Sequence, residues 1–207
     1  MTRKKETIKI AVLASGRGSN FIAIADAISR GEINADIAFL FSNSKEAKAI
    51  EAAEKRGIKT KVVDSRSLSK EEYDKKLIEV LTEEEIDLVL LAGYMKIVGK
   101  ALIETFPLRI MNIHPSLLPS FKGLHAQRQA IEYGVKVSGC TVHFVDEGMD
   151  RGPIIIQSAI PVLDDDTAES LSNRILIEEH RLYAKAVKLF AHGKLRVEGR
   201  KVFIDSK

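Results

Sequence analysis

IKIAVLASGRGSN, from Ile8 to Asn20, decides the fold class of this 207-residue chain. Apart from Lys9, its first seven residues are apolar and rich in β-branched side chains, which is typical of a buried strand. The glycine-rich segment SGRGSN follows directly, and residues 21–29 carry apolar side chains at helical spacing, with Gly31 placed to end a helix. We expect Ser19 or Asn20 to cap this helix. The order strand, glycine loop, helix predicts the first half of a βαβ unit.

The glycine loop is a candidate anion site. Gly16 and Gly18 would let the backbone approach an anion, and the N–H groups of Gly18, Ser19 and Asn20 would face it at the positive end of the helix dipole. The loop matches neither common nucleotide motif, because Phe21 replaces the third glycine of G-x-G-x-x-G and no Gly-Lys-Ser/Thr is present. A phosphomonoester on a small metabolite therefore fits better than a dinucleotide. A tight turn without a ligand is the alternative.

Strands and helices alternate through the first half of the chain. We expect strands at residues 35–42, 59–64 and 87–93, and helices at residues 45–56 and 70–81. This spacing predicts right-handed βαβ units and a mostly parallel sheet. Ligands bind beyond the carboxyl ends of the strands in such sheets, so the loops at residues 15–20 and 93–98 should share one edge.

The second half departs from simple alternation. We expect helices at residues 124–133 and from Thr167 to about Phe190, an antiparallel strand pair at residues 140–145 and 154–162, and a terminal hairpin at residues 195–204. No linker or repeat divides the chain, so residues 1–207 are expected to form a single domain. The predicted fold is a Rossmann-like open α/β sheet, mostly parallel with antiparallel strands in the C-terminal part, with helices on both faces.

The composition of the chain bears on its possible partners and on its cellular location. The net charge is +3, Lys and Arg are interspersed with Asp and Glu, Trp is absent and aromatic residues make up 6%, so we expect no nucleic-acid partner. The apolar run at residues 8–14 is too short for a signal peptide or a membrane span, and no membrane role is expected. Cys140 is the only cysteine, which excludes an intramolecular disulfide and a Cys-cluster metal site, and predicts a cytosolic protein.

IMNIHPSLLPSFKGLH, residues 110–125, is the candidate catalytic stretch. Asn112 and His114 share one face of the predicted strand, so an amide with two N–H donors and a group that titrates near neutral pH can converge on one atom. Pro115 and Pro119 then force an irregular loop. An acid from the loop at residues 146–150, with Asp150 as the candidate, could sustain a histidinium beside a developing oxyanion. A structural histidine and a solvated turn aspartate are the alternatives.

The whole chain resembles the glycinamide ribonucleotide formyltransferases, members of the folate-dependent formyltransferase superfamily. The similarity runs from the SGRGSN loop almost to the C-terminus and rests on LAGYMK at 91–96, NIHPSLLP at 112–119, GLH at 123–125, GCTVHFV at 139–145 and DRGP at 150–153. The run at 112–119 marks the wider superfamily, and the glycine loop narrows it to the glycinamide enzymes.

The resemblance implies an activity in de novo purine biosynthesis. The formyl group of 10-formyltetrahydrofolate would pass to the amine of glycinamide ribonucleotide without a metal. The backbone of Gly18, Ser19 and Asn20 would hold the substrate 5′-phosphate, and Glu179 would bind the ribose hydroxyls.

The resemblance also implies how the folate and the catalytic groups are arranged. The folate would lie along Met95, Lys96, Ile97 and Val98, reach Asn112, and place its glutamate tail near Lys70. Asn112 and a protonated His114 would stabilise the oxyanion, and Asp150 would pair with His114 and favour its charged form.

Three alternative functions make different demands on the sequence. A formyltetrahydrofolate hydrolase would usually carry an N-terminal regulatory domain, for which we expect the chain to have no room, and formyl transfer to initiator tRNA would need an extra domain. A non-enzymatic binder of a phosphorylated metabolite would need the glycine loop but neither His114 nor Asp150. The expected partners are the two small molecules, and the expected state is a monomer or homodimer.

Overall fold

The computed structural model describes residues 7–64, 66 and 68–205, and these residues form nine strands and six helices. The strands are β1 (Ile8–Leu13), β2 (Ala35–Ser42), β3 (Thr60–Val62), β4 (Leu88–Leu91), β5 (Ile110–His114), β6 (Val137–Phe144), β7 (Ile154–Pro161), β8 (Leu195–Glu198) and β9 (Lys201–Ile204). The helices are α1 (Ser19–Ser29), α2 (Lys48–Glu54), α3 (Lys70–Glu83), α4 (Lys100–Thr105), α5 (Ala126–Tyr133) and α6 (Ala168–Ala191).

All the described strands belong to one sheet with the order β3-β2-β1-β4-β5-β6-β7-β9-β8. Strands β1 to β5 run parallel to one another, β6 is antiparallel to both β5 and β7, and β8 and β9 form an antiparallel hairpin. The chain moves outward from β1 to β3 and then returns to place β4 on the other side of β1. This reversal creates a switch point, where open α/β sheets bind their ligands. The predicted fold class is confirmed.

Alternate residues of the central strand β1 face two separate apolar cores. Ile10 and Val12 pack with helices α1, α2, α5 and α6, whereas Ala11 and Leu13 pack with helices α3 and α4. All four side chains are fully buried. Burial on both faces explains why the strand is continuously apolar from Ile10 to Leu13. No helix in the described part of the chain is both long and apolar enough to cross a membrane.

Several predicted boundaries were wrong by a few residues, and one helix was missed. Helix α2 and strand β3 are shorter than the predicted segments 45–56 and 59–64, and α5 begins at Ala126 because His125 adopts a left-handed backbone conformation with φ of 59°. The six-residue helix α4 follows Gly99 directly and is too short to give a clear apolar period. These differences leave the order of the main elements unchanged.

Tyr183 links helix α6 to the two strands that end beside the candidate site. Its fully buried hydroxyl donates to the carbonyl oxygen of Met111 at 2.8 Å and lies 3.2 Å from that of Leu91. Met111 and Leu91 belong to the adjacent strands β5 and β4, close to their carboxyl ends. The hydroxyl therefore fixes the helix to the sheet at the edge where the loops after β1, β4 and β5 lie side by side.

We expect Tyr183→Phe to lower the free energy of unfolding by about 1–2 kcal/mol, because it removes a buried donor from two carbonyl groups. Tyr133→Phe is the matched control, since Tyr133 is 80% exposed. Urea unfolding followed by circular dichroism measures both. Equal, small losses in the two variants would show that the Tyr183 hydroxyl does not stabilise the fold.

Candidate active site

The glycine loop leaves the amino end of helix α1 open. Helix α1 begins at Ser19 with Gly18 as its N-cap, and no side chain in the described part of the chain caps it by a hydrogen bond. The prediction that Ser19 or Asn20 acts as the cap was wrong. Gly18 has a φ of 75°, and a Cβ there would lie 2.7 Å from Ala49 Cβ, so both conformation and space require glycine. The first backbone N–H groups of the helix therefore remain available to an anion.

Asn20 turns its side chain toward helix α6 instead of the helix end. Its Nδ2 donates to Glu179 Oε2 at 2.8 Å, and each residue is 7% exposed. Burial raises the pKa of Glu179, and the hydrogen bond from Asn20 opposes that rise. A buried carboxylate thus lies beside the glycine loop, although Glu179 is far from it in sequence.

The segment between β4 and α4, residues 92–99, carries the predicted folate contacts. Met95 and Ile97 are 69% and 68% exposed, so this segment presents two large apolar side chains to solvent. Lys96 Nζ lies 4.3 Å from the centre of the Tyr73 ring, a cation–π distance. The Met95 N–H donates to Ser15 Oγ at 2.9 Å, so this segment is tied to the glycine loop.

Lys70 lies at the start of helix α3, on a groove of about 580 Å³ between α3 and α4. Gly99 and Lys100 line the same groove, so Lys70 faces the chain immediately after Val98. The structure therefore places the predicted tail contact next to the predicted folate segment.

The predicted catalytic residues meet at the end of β5. His114 Nδ1 lies 3.4 Å from Asp150 Oδ2, and His114 Nε2 lies 2.8 Å from the carbonyl oxygen of Phe121. Asn112 Nδ2 lies 3.2 Å from His143 Nε2. Asn112, His114 and Asp150 thus share one cluster.

His143 is a fourth member of the cluster that the sequence reasoning missed. Strand β6 pairs antiparallel with β5, so that Asn112 and His143 are directly opposite each other, and His143 Nε2 lies 3.7 Å from Asp150 Oδ1. The alternating run CTVHFV did predict the strand. What the sequence reasoning lacked was its pairing with β5, which places His143 beside Asn112.

The tautomer of His143 follows from its partners. His143 Nδ1 lies 2.8 Å from the carbonyl oxygen of Phe144, so Nδ1 must carry the hydrogen. In the neutral ring Nε2 is then an acceptor and receives an N–H of Asn112. Nε2 also lies 3.7 Å from Asp150 Oδ1, to which only a protonated Nε2 can donate, so His143 fixes which way the Asn112 amide points while its ring is neutral.

Burial and neighbouring groups shift the pKa values of His114 and Asp150. Burial lowers the pKa of His114 below its ordinary value, and the Phe121 carbonyl and the Asp150 carboxylate offset this only in part. Burial would raise the pKa of Asp150, but the His143 ring, the Gly123 N–H and the His114 ring together lower it to about 2. The effect of Asp150 on the pKa of His114 has the expected sign, but burial is the larger effect and the net pKa of His114 is lowered.

Comparisons with known proteins show the family to which the chain belongs. Residues 8–187 match the family described as formyl transferase. A phosphoribosylglycinamide formyltransferase from Bacillus subtilis is 44% identical over 87% of this chain and 93% of that protein. The chain belongs to the phosphoribosylglycinamide formyltransferase family.

Solved structures extend the similarity to the whole fold. A glycinamide ribonucleotide transformylase from Symbiobacterium toebii superimposes with a TM-score of 0.97 and 48% identity, over 100% of this chain and 98% of that one. A formyltetrahydrofolate deformylase from Pseudomonas syringae superimposes with a TM-score of 0.89 and 27% identity, over 97% of this chain and 66% of the deformylase chain. The chain spans 19% of the trifunctional purine biosynthetic protein adenosine-3 of Homo sapiens, to which it is 41% identical.

Within the described ranges, no group of three or more His, Cys, Asp or Glu side chains is arranged to hold a metal ion.

We expect Asp150→Asn to lower the pKa of His114 further. The substitution removes a negative charge that favours the imidazolium. Asn also tolerates the left-handed backbone of position 150, where φ is 50°, so the loop should keep its shape. Titration of His114 by NMR in the wild type and the variant measures the shift, with Asp146→Asn as a control in the same loop. An unmoved or raised His114 pKa would show that the two residues are not electrostatically coupled.

Proposed function

We propose that this chain transfers the formyl group of 10-formyltetrahydrofolate to the amine of glycinamide ribonucleotide, giving N-formylglycinamide ribonucleotide and tetrahydrofolate in purine biosynthesis. One observation carries the proposal. The cluster of Asn112, His114 and Asp150 lies at the end of β5, on the sheet edge shared by the glycine loop and by residues 92–99. Family membership supplies the reaction class, and the geometry supplies roles for the residues.

Glycinamide ribonucleotide would bind between the amino end of α1 and helix α6. The N–H groups of Gly18, Ser19 and Asn20 would receive the 5′-phosphate, which suits the uncapped helix end. Glu179 would accept hydrogen bonds from the ribose hydroxyls, because Asn20 holds it beside the loop and favours its ionised form. This pairing of an anion cradle with a carboxylate fits a sugar phosphate better than a free phosphate.

The folate would bind along Met95, Lys96, Ile97 and Val98. The exposed side chains of Met95 and Ile97 offer apolar surface to the pterin and benzoyl rings. Lys70, in the neighbouring groove, would attract the glutamate carboxylates of the tail. The donor carbon would then lie near Asn112 and His114.

The amine nitrogen would attack the formyl carbon directly. A carbon–nitrogen bond forms, the carbonyl oxygen becomes an oxyanion, and the bond from carbon to the folate nitrogen then breaks. Asn112 would donate an N–H to the oxyanion, and His114 would donate from Nε2 in competition with the Phe121 carbonyl. Asp150, facing Nδ1, would stabilise the imidazolium while the amine proton passes toward the leaving folate nitrogen.

The protonation of His114 is linked to substrate binding in this proposal. Both ring nitrogens face acceptors, the Phe121 carbonyl and the Asp150 carboxylate, and both acceptors are satisfied only by a doubly protonated ring. Burial opposes that state in the free chain. A developing negative charge on the formyl oxygen would favour it, so His114 would gain its charge as the transition state forms.

Hydrolysis of the folate is the main competing reaction, because a deformylase shares the fold. The two reactions differ in the group that accepts the formyl group, since transfer needs a bound sugar phosphate that carries an amine. The Asn20 and Glu179 pair beside the uncapped end of helix α1 supports binding of such a sugar phosphate. The proposal also places the reaction in the cytosol, which suits a chain whose one cysteine, Cys140, is buried and free.

We expect release of tetrahydrofolate from 10-formyltetrahydrofolate to require glycinamide ribonucleotide and to continue in the presence of EDTA. Absorbance of the folate product and mass spectrometry of the formylated ribonucleotide measure both products. Equal release without the ribonucleotide would indicate a hydrolase. Tight binding of the ribonucleotide without release of tetrahydrofolate would indicate a binding protein.

A further inference from the structure

The loop at residues 121–125, between β5 and α5, contacts both members of the His114 and Asp150 pair. The carbonyl oxygen of Phe121 lies 2.8 Å from His114 Nε2, and the N–H of Gly123 donates to Asp150 Oδ2 at 2.8 Å. On the imidazole the loop contacts Nε2, the nitrogen that does not face Asp150, and on the carboxylate it contacts Oδ2, the oxygen that faces His114 Nδ1. The loop therefore sets the orientation of the imidazole and of the carboxylate at the same time.

The backbone of this loop is unusual. Phe121, Gly123 and His125 have φ values of 52°, 76° and 59°, in the left-handed region. This region is unfavourable for residues other than glycine, so the surrounding structure must hold the loop in this conformation.

The side chain of Gln129, in the first turn of α5, donates hydrogen bonds to two carbonyl groups of this loop. Its Nε2 lies 2.8 Å from the carbonyl oxygen of Leu124 and 3.3 Å from that of Lys122. These carbonyl groups belong to the two residues that flank Gly123 in the sequence. Its own backbone N–H donates to the carbonyl oxygen of His125, so the side chain projects from a hydrogen-bonded helical turn.

The contact with Lys122 reaches Asp150 through a single peptide unit. The Lys122 carbonyl and the Gly123 N–H belong to the same peptide, which is planar, so they point in opposite directions and rotate together. Gln129 holds one end of this plane and Asp150 accepts from the other. Such a chain of hydrogen bonds also polarises its members and strengthens the last one.

We propose that Gln129 is a positioning residue for formyl transfer: it fixes the Lys122–Gly123 peptide, and through it the Asp150 carboxylate that faces His114. This inference rests on the proposed function and adds a residue to its site. Gln129 touches neither reacting group, so its effect must pass through the charge state and orientation of Asp150 and His114.

The test uses two variants of the full chain and a matched control. Gln129→Leu keeps most of the side-chain volume but removes the donor, and Gln129→Glu keeps the length but turns a second acceptor toward the carbonyl groups. Gln127→Leu, on the same helix, is the control, because the Gln127 side chain makes only a long 3.5 Å contact with Ser172 Oγ among the described residues. Turnover, KM for glycinamide ribonucleotide, thermal unfolding and NMR titrations of His114 and Asp150 are measured for each.

We expect both Gln129 variants to lower kcat about tenfold, the factor that corresponds to one lost hydrogen bond, with KM for the ribonucleotide within about twofold of the wild type. The pKa of Asp150 should rise, since the Gly123 donor lowers it, and the pKa of His114 should fall, since the Phe121 carbonyl and Asp150 raise it. Gln127→Leu should change none of these values.

Unmoved titrations of Asp150 and His114 in a folded Gln129 variant would overturn the proposal, whatever the loss of turnover. So would pKa shifts of equal size in Gln127→Leu. If Gln129→Leu does not fold, Gln129→Glu carries the same test, because glutamate is a good helix former of the same length. The titrations need no substrate, so they test Gln129 even if the wild type fails to transfer a formyl group.

Discussion

The contact between the buried carboxylate of Asp150 and the buried imidazole of His114 is the interaction on which this site depends. Burial alone would disfavour the charged form of each group: it lowers the pKa of His114 and would raise the pKa of Asp150. The carboxylate keeps its charge through the Gly123 N–H and the two neighbouring imidazoles. The imidazole finds acceptors at both of its nitrogens. The pKa of Asp150 is therefore held low, and in the proposed mechanism His114 would become protonated only as negative charge develops on the substrate.

The sheet gathers the parts of this site from distant segments. The order β1, β4, β5, β6 places the glycine loop, residues 92–99, Asn112 with His114, and His143 on neighbouring strands. A hydrogen bond between Met95 and Ser15 joins residues 92–99 to the glycine loop. A second one, between Asn20 and Glu179, joins the start of helix α1 to helix α6. In the proposed reaction, the groups that must react with each other would thus bind to one rigid edge, which would keep the entropic cost of alignment low.

The sequence predicted the parts that depend on local pattern. The apolar run of β1, the glycine loop and the alternation of Asn112 with His114 each follow from a few adjacent residues, and the family resemblance located Asp150 and Glu179. His143 was missed because its role depends on the register between β5 and β6, which no local pattern states. The lowered pKa of His114 was missed for a similar reason. The degree of burial comes from the whole fold, and it outweighs the carboxylate that the sequence did identify. Gln129 reads as an ordinary polar position on a helix until its distances to the loop carbonyls are known.

A double-mutant cycle on turnover tests most directly whether His114 and Asp150 act as one unit in formyl transfer. His114→Ala, Asp150→Asn and the double variant are compared with the wild type at saturating glycinamide ribonucleotide and 10-formyltetrahydrofolate. Each single variant should lower kcat by about 10²-fold or more, the usual contribution of a general acid–base group, and the double variant should be little worse than either, because removing one partner already disables the other. Losses that multiply in the double variant would contradict the account and would mean that Asp150 and His114 contribute independently.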